Sequence, residues 1–422
     1  MRVSLKSAEN TVLVTTMFVL SGALLELLLP GQTALAGNAV FRFILAVLYL
    51  GTCIVAFRAS NRLDTLRALQ GNPAILCLLL LTCVSPLWAA APSLSLQRSV
   101  AVIGTSLVGI TLAAQRSIEE QLRLFRGVFR VAAVLCLGCM IVAPQVAWST
   151  LGLQGIFNQK NNLGEAMAAA ILVDHYLPAT SRRSRISKAI WLCIFIMLLI
   201  LSRSATSLVS LCGAILIVHA YQKLRRHMRV PLGIVLLGIG GAVMLAGIII
   251  ADDGILASFL GRSADLTGRT ELWNYVISMI LRRPLLGYGY SGFWGGASVE
   301  STNIARDIGW APQYSHNGYL ELVLSLGVVG FVLFAILFWQ FLSRAVQLAE
   351  NRVDVIQSVN MWPLAFLAFF TIHNMAECTL LWPKGLDWPM FLSIMIGIDL
   401  RLICRAEATS SHSTGRATYA VT

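Results

Sequence analysis

One stretch of the chain combines groups that can move a proton with the start of an apolar helix. It reads Ser315-His316-Asn317-Gly318-Tyr319-Leu320-Glu321. An imidazole can be neutral near pH 7 and can accept a proton from an attacking hydroxyl. Glu321 lies within about one helical turn of His316, so both are candidate catalytic groups and either could be the base. The alternative for His316 is a helix-capping or interfacial histidine.

Two arginines supply the charge that an anionic substrate would need. Arg203 follows an apolar run, and Arg269 begins a predicted amphipathic helix at residues 268–280. An arginine near hydrocarbon is costly unless it snorkels to the surface or meets an anion. Two guanidinium groups at one site suit a diphosphate, because each offers a planar fork of donors to phosphate oxygens. The alternative is a snorkelling pair that anchors the membrane interface.

Several further residues are assigned to substrate binding. The polar segment 155–165 opens an apolar run, so Lys160 could contact phosphate and Asn161 could bind hydroxyls or cap the helix. Glycines in the aromatic-rich loop 286–296 would let the backbone approach a ligand closely. The remaining assignments lie in or beside these segments, and the full set is Lys160, Asn161, Asn317, Tyr319, Gly287, Gly289 and Trp273.

Other patterns carry less chemistry. Gly287, Gly289 and Gly292 match G-x-G-x-x-G, but no βαβ context surrounds them, which argues against a nucleotide fingerprint. No second acidic pair stands at ligand spacing from Asp252-Asp253, so we expect metal-independent chemistry without a cofactor. His373 and Glu377 lie one turn apart in an apolar run. They are functional candidates by location, and a mutually satisfied structural pair is the equal alternative.

The elements that must position these groups are membrane helices. The 422 residues are 57% hydrophobic and only 12% charged, which is far from the usage of a soluble domain. Apolar runs long enough to cross ~30 Å of hydrocarbon predict an all-α polytopic protein with about twelve transmembrane helices. A long polar insert at residues 251–316 must lie outside the bilayer or line a cavity.

The distribution of Lys and Arg predicts the orientation. Most of the 32 basic residues fall in alternate loops, which stay cytoplasmic, so both termini lie inside and the insert lies outside. We expect one membrane domain at 1–403, an embedded outer loop at 251–316, and a disordered cytoplasmic tail at 404–422. The N-terminal run resembles a signal peptide, but its length and Glu26 favour a retained first helix.

Charge and cysteine usage argue against several functions. The net charge of +12 is explained by basic clusters at helix ends, where anionic lipid attracts them, so no nucleic acid is expected. The nine cysteines lie in or beside apolar runs and none lies in the insert. This placement argues against a disulfide framework or a zinc site. No internal repeat is visible, which weakens a secondary-transporter architecture.

The candidate segments together resemble the O-antigen ligase and Wzy-type polymerase superfamily, most closely the exopolysaccharide polymerases of the ExoQ type. The resemblance covers about residues 150–340, and the earlier helices are recognisable only as membrane. It is carried, in this order, by Gly155-Ile156-Phe157-Asn158-Gln159-Lys160-Asn161, by Leu201-Ser202-Arg203-Ser204-Ala205-Thr206, by residues 266–273 with 283–289, and by the His316 segment.

The resemblance implies a C-type glycosyltransferase fold in the bacterial inner membrane, acting on polyprenyl-diphosphate-linked oligosaccharide in the periplasm. Arg203 and Arg269 would hold the diphosphate, and His316 would orient or deprotonate the acceptor hydroxyl. The expected activity is an inverting block-transfer polymerase, with a chain-length regulator and export machinery as further partners. Two alternatives stay open: a ligase that uses lipid A core as acceptor, and a polysaccharide flippase or exporter without chemistry.

Overall fold

A computed structural model describes residues 2–23, 39–58, 61–224, 267–296, 298–350 and 357–417, and these are helical almost throughout. A 3₁₀ turn occupies Ser85–Leu87, and two short antiparallel strands are β1 (Trp148–Ser149) and β2 (Gly152–Leu153). The helices, numbered along the described residues, are α1 (Arg2–Leu20), α2 (Ala39–Phe57), α3 (Arg62–Gln70), α4 (Pro73–Val84), α5 (Pro92–Gln115), α6 (Ile118–Val142), α7 (Pro144–Ala147), α8 (Lys160–Tyr176), α9 (Arg182–Ser202), α10 (Ala205–Leu224), α11 (Thr267–Arg282), α12 (Val299–Asp307), α13 (Gly318–Glu350), α14 (Gln357–His373) and α15 (Asp387–Ala417).

The long apolar helices make this an all-α multi-pass membrane protein. Within the described residues, 6 helices are long and apolar enough to cross a membrane, namely α2, α5, α6, α9, α10 and α13. A bent pair, α3 with the α4 segment, makes up to 7 if it is one span. The sequence also predicts a membrane-spanning run at 231–250, which lies outside the described residues. The full number of about twelve therefore stays a prediction.

The centre of the bundle is formed by α8, α14 and α15. Nearly every residue of α8 is buried, and its alanines let α9, α10 and α6 approach closely. α15 packs along α5, where Gly109 leaves room for the backbone of Pro389. α14 packs against α10 and α13. The beginning of α8, the end of α14 and the beginning of α15 thereby meet at one end of the bundle.

Helix α11 is the amphipathic helix that the sequence predicts. Leu272, Val276 and Met279, at helical spacing, are buried. The helix ends at Arg282, two residues before Pro284, as expected from the restriction that proline places on its neighbour. The apolar face rests on a second, smaller core that includes Tyr288, Phe293, Trp294 and Leu324.

The loop after α11 is fastened to α13. Gly327 interrupts α13 with φ 66° and ψ −166°, and the backbone of Leu285 occupies the space beside it. The amide of Val328 donates to the carbonyl of Pro284 at 2.8 Å, and Tyr288 donates to Leu324 at 2.9 Å. The kink therefore frees backbone groups of α13 from helical hydrogen bonds, and these groups hold α11 and its loop in place.

The structure differs from the prediction at the C-terminus. Helix α15 continues to Ala417, through most of the segment expected to be a disordered tail. Residues 405–408, which read Arg-Ala-Glu-Ala, have high helix propensity and can extend a helix that packing has already started. The part of the outer insert at 251–266, together with Glu26, lies outside the described residues.

Candidate functional site

The connection between α14 and α15 is shaped by Asn374. Its Oδ1 accepts hydrogen bonds from the amides of Thr379 and Leu380 at 2.9 and 2.8 Å, and its Nδ2 donates to Phe370 at 2.9 Å. An asparagine side chain that binds nearby backbone in this way fixes a turn. Asn374 is thus structural, and the turn fixes the position of Glu377.

Glu377 joins residues from three distant parts of the chain. Its Oε1 accepts a hydrogen bond from Asn161 Nδ2 at 2.7 Å and lies 3.4 Å from a terminal nitrogen of Arg269. Its Oε2 lies 3.8 Å from His316 Nδ1. Arg269 also donates to the carbonyl of Ala376 at 2.8 Å. We call Glu377, Arg269, His316 and Asn161 the Glu377 cluster.

The charges of the Glu377 cluster balance. Burial raises the pKa of the Glu377 carboxyl, but the contact with His316 and the positive charge of Arg269 outweigh it, so its pKa lies below the ordinary value. Glu377 is therefore ionised near neutral pH. A carboxylate beside Nδ1 favours a proton on that nitrogen and leaves Nε2 as the acceptor of a further proton.

His316 is held in a left-handed backbone conformation, with φ 52°. Such a conformation is uncommon for a non-glycine residue and persists where the surroundings enforce it. Here Ser315 provides the enforcement: its amide donates to Glu321 Oε2 at 2.9 Å and its carbonyl accepts from Trp273 Nε1 at 2.9 Å. Glu321 also accepts from Trp294 Nε1 at 2.8 Å. Trp273 and Glu321 thus support the His316 segment, whereas the sequence assigns them to substrate and to catalysis.

The residues after His316 build the start of α13. Asn317 caps the helix, since its Oδ1 accepts from the amides of Tyr319 and Leu320, both at 3.1 Å. The amide of Gly318 donates to the carbonyls of Asn374 at 2.7 Å and Glu377 at 3.0 Å. Tyr319 donates its hydroxyl to a carbonyl of α14 at 3.2 Å. Asn317 and Tyr319 therefore bind the protein itself, although the sequence predicts substrate contacts.

Arg203 lies apart from the Glu377 cluster. It ends α9 with φ 52° and is exposed. Within the described ranges its side chain makes no hydrogen bond or ion pair. The neighbouring Ser202 and Ser204 pack closely against Gly164 of α8, the helix that carries Asn161. Arg203 thus lies near the beginning of α8, without a direct contact to Arg269.

Three residues that the sequence assigns to substrate binding contact other parts of the protein. Lys160 is buried and its Nζ lies 3.3 Å from the carbonyl of Leu151, to which it donates. Gly287 and Gly289 have φ of 64° and 86°, and the space that a side chain would fill is taken by the backbone of α13 and by Ala89 respectively. These glycines permit close packing within the protein, and the approach of their backbone to a ligand stays a prediction.

Sequence reasoning missed the pairing of Asn161 with Glu377, which are separated by 216 positions. It also missed a second buried group beside the cluster. Glu165 Oε2 lies 3.6 Å from His373 Nε2, and the carboxyl group of Asp387 lies beside that of Glu165. The sequence offers one signal for this group. Polar residues recur every third or fourth position around the start of α8, namely Asn158, Asn162 and Glu165. Such a stripe indicates a polar surface inside the bundle.

Comparison with known proteins gives two kinds of similarity. Residues 188–335 match the O-Antigen ligase family, a range that includes Arg203, Arg269 and His316 but not Glu377. The chain is 26% identical over 372 residues to the exopolysaccharide production protein ExoQ of Rhizobium meliloti, which covers 76% of this chain and 83% of that protein. It is also 28% identical to the ComP-specific O-oligosaccharyltransferase of Acinetobacter baylyi, over 28% of this chain and 19% of that protein.

Proposed function

Because the chain belongs to the O-antigen ligase and ExoQ-type family, we propose that it is an exopolysaccharide polymerase. It transfers a glycan chain from a polyprenyl-diphosphate donor to a lipid-linked repeat unit. The observation that carries the proposal is the Glu377 cluster, in which an arginine of α11 and the histidine before α13 meet on one carboxylate. A cation and a proton acceptor side by side are what transfer from a diphosphate requires.

In the proposed reaction, Arg269 and Arg203 hold the diphosphate, and Arg269 stabilises the charge that develops on it as it leaves. The first turn of α11 adds the positive end of the helix dipole next to Arg269. A diphosphate with its charge held is a good leaving group, so the reaction needs no general acid.

His316 activates the acceptor. As the acceptor oxygen bonds to the anomeric carbon, its proton moves to His316 Nε2, and the bond from that carbon to the diphosphate breaks with its electron pair. Glu377 stabilises the protonated imidazole through Nδ1. This single displacement inverts the anomeric centre, by analogy with single-displacement glycosidases.

We place the reaction at the periplasmic face of the bacterial inner membrane, with both termini in the cytoplasm. The distribution of Lys and Arg supports this orientation. A chain-length regulator and export machinery would act with the enzyme. A ligase that transfers the glycan to lipid A core is the second candidate, supported by the O-Antigen ligase match, since both reactions use the same donor chemistry.

The test is a null strain complemented with the wild-type chain, with His316→Ala, or with Arg269→Ala. The control is Trp339→Ala, at an exposed position of α13. Western blots of membranes establish equal amounts, and gels of surface glycan give the result. We expect long polymer with wild type and control, and single repeats with the two site variants. Uncapped lipid A core in the null strain would instead establish the ligase, and long polymer from both site variants would refute the site.

A further inference from the structure

A cavity of about 270 Å³ opens beside the Glu377 cluster. One wall is a single face of α8, with Asn162, Glu165, Ala166 and Ala169 at the spacing of helical turns. The opposite wall is the α14–α15 connection, from Glu377 to Asp387. The volume is near the lower bound of about 300 Å³ for small-molecule sites. It suits a short sugar unit better than a polyprenyl chain.

The lining of the cavity has the chemistry of a carbohydrate site. Trp382 and Tyr314 form an aromatic side, with ring centroids 5.4 Å apart. Asn158 and Asn162, linked by a 2.8 Å hydrogen bond, give amide donors and acceptors. Carboxyl groups accept hydrogen bonds from hydroxyls, and aromatic faces pack on the apolar faces of sugar rings. The mixture of one aromatic side with several polar groups is what a hydroxyl-rich ring requires.

The charge of the lining indicates which substrate enters. Three carboxyl groups and one amine line the cavity, those of Glu165, Glu377, Asp387 and Lys384. With a single cation among them, the lining lacks the paired positive charges that hold a diphosphate. The guanidinium of Arg269 contacts Glu377 but does not line the cavity. The cavity therefore favours an uncharged sugar.

The proposed base lies next to the wall of the cavity. The ring of Tyr314, on the cavity wall, lies 4.3 Å from the ring of His316. Glu377 lines the cavity with one part of its side chain and approaches His316 Nδ1 with Oε2. A sugar bound against Trp382 and Tyr314 would have a hydroxyl within a ring's width of the imidazole.

We propose that this cavity binds the terminal sugar of the acceptor and presents its hydroxyl to His316. The identification of this sugar as the acceptor rests on the proposed function, whereas the binding of a sugar rests on the cavity alone. Asn162, Glu165 and Asp387 would bind the hydroxyls, and Trp382 would pack against the ring.

The first test measures binding without turnover. The probe is the free repeat-unit oligosaccharide, released by mild acid from the lipid-linked repeats of the null strain. Saturation-transfer NMR with the full chain in nanodiscs should detect binding to wild type and to His316→Ala. Asn162→Ala and Trp382→Ala should each weaken it about ten-fold, the effect of one lost contact of roughly 1.4 kcal/mol. Trp382→Phe should retain most of the binding, and Trp339→Ala all of it.

The second test separates this inference from the proposed function. In polymer synthesis from lipid-linked repeats, Asn162→Ala and Trp382→Ala should raise KM and leave kcat within about three-fold, with melting temperatures near wild type. If wild type makes no polymer but binds the free oligosaccharide through Asn162 and Trp382, the cavity stands and the polymerase proposal falls. If wild type makes polymer while both variants bind and turn over like wild type, or if wild type does not bind the oligosaccharide, the cavity is not the acceptor site.

Discussion

The two arginines proposed to hold the diphosphate have opposite surroundings. The side chain of Arg269 is only 19% exposed, donates to the carbonyl of Ala376 and faces Glu377. Arg203 is exposed at the end of α9 and has no side-chain partner in the described residues. One guanidinium is oriented before substrate arrives, and the other would become ordered by the substrate.

Because of this difference, we expect the two arginines to affect different kinetic constants. An oriented cation beside the reacting atoms stabilises the transition state without reorganisation, so its loss lowers kcat. An exposed cation mainly attracts and retains the donor, so its loss raises KM. Arg269 is an oriented cation because the carboxylate of Glu377 holds its guanidinium group in place.

The largest effect is expected from Glu377. Glu377→Ala should lower kcat about 100-fold, because Arg269 and His316 lose their shared partner and a buried charge is left unpaired. Glu377→Gln should be milder, about 10-fold, since it keeps an acceptor for Asn161. Polymer formation from lipid-linked repeats measures both. Glu271→Gln is the matched control, an exposed carboxylate two positions from Arg269. If Glu377→Ala raises only KM, Arg269 is not preoriented.

The same carboxylate fixes the direction of a pH effect. Its pKa in the folded protein lies below the ordinary value because of His316 and Arg269, despite burial. The stability it contributes is therefore complete above about pH 5 and is lost only as the pH falls through that lowered pKa. The melting temperature of Glu377→Gln should accordingly lie furthest below that of the wild type above about pH 5, and the difference should shrink as the pH falls below about 4. A difference that grows toward low pH would contradict the lowered pKa.

Local and non-local features differ in how well the sequence predicts them. The amphipathic face of α11 follows from Leu272 and Val276 at helical spacing, and the structure confirms it. The pairing of Asn161 with Glu377 joins positions 216 apart, and no local pattern encodes it. His316 was singled out by its chemistry, whereas the roles of its neighbours depend on which backbone groups the fold brings near.

The glycines of the loop after α11 also show that a local pattern does not identify its tertiary contact. Gly287 and Gly289 have the conformational freedom that the sequence argument requires. The argument assigns that freedom to a ligand, but Leu324 of α13 and Ala89 occupy the space. Sequence can indicate that a close approach occurs, and only the tertiary fold identifies what approaches.

A smaller effect is expected from Arg203. Arg203→Ala should raise KM for the lipid-linked donor about two- to five-fold and change kcat little, because an exposed charge contributes about 1 kcal/mol or less. KM of the wild type should rise with ionic strength, and the variant should show a flatter dependence. Arg306→Ala, at an exposed position of α12, is the control. A loss of kcat as large as that of Glu377→Ala would place both arginines in the preoriented part of the site.

The smallest effect is expected from Tyr319, which the sequence assigns to substrate and the structure turns toward α14. Tyr319→Phe removes one hydroxyl that donates to the carbonyl of Thr371 at 3.2 Å. The loss is that of a single neutral hydrogen bond, about 1 kcal/mol, and should lower the melting temperature slightly. Tyr288→Phe is a matched control, since it removes a hydroxyl that donates to the carbonyl of Met279, also at 3.2 Å. Both variants should keep KM and kcat within about two-fold of wild type. A ten-fold rise in KM for Tyr319→Phe alone, with equal melting temperatures, would mean that this hydroxyl leaves α14 to bind substrate. The start of α13 would then be reordered by the substrate, as is expected for the side chain of Arg203.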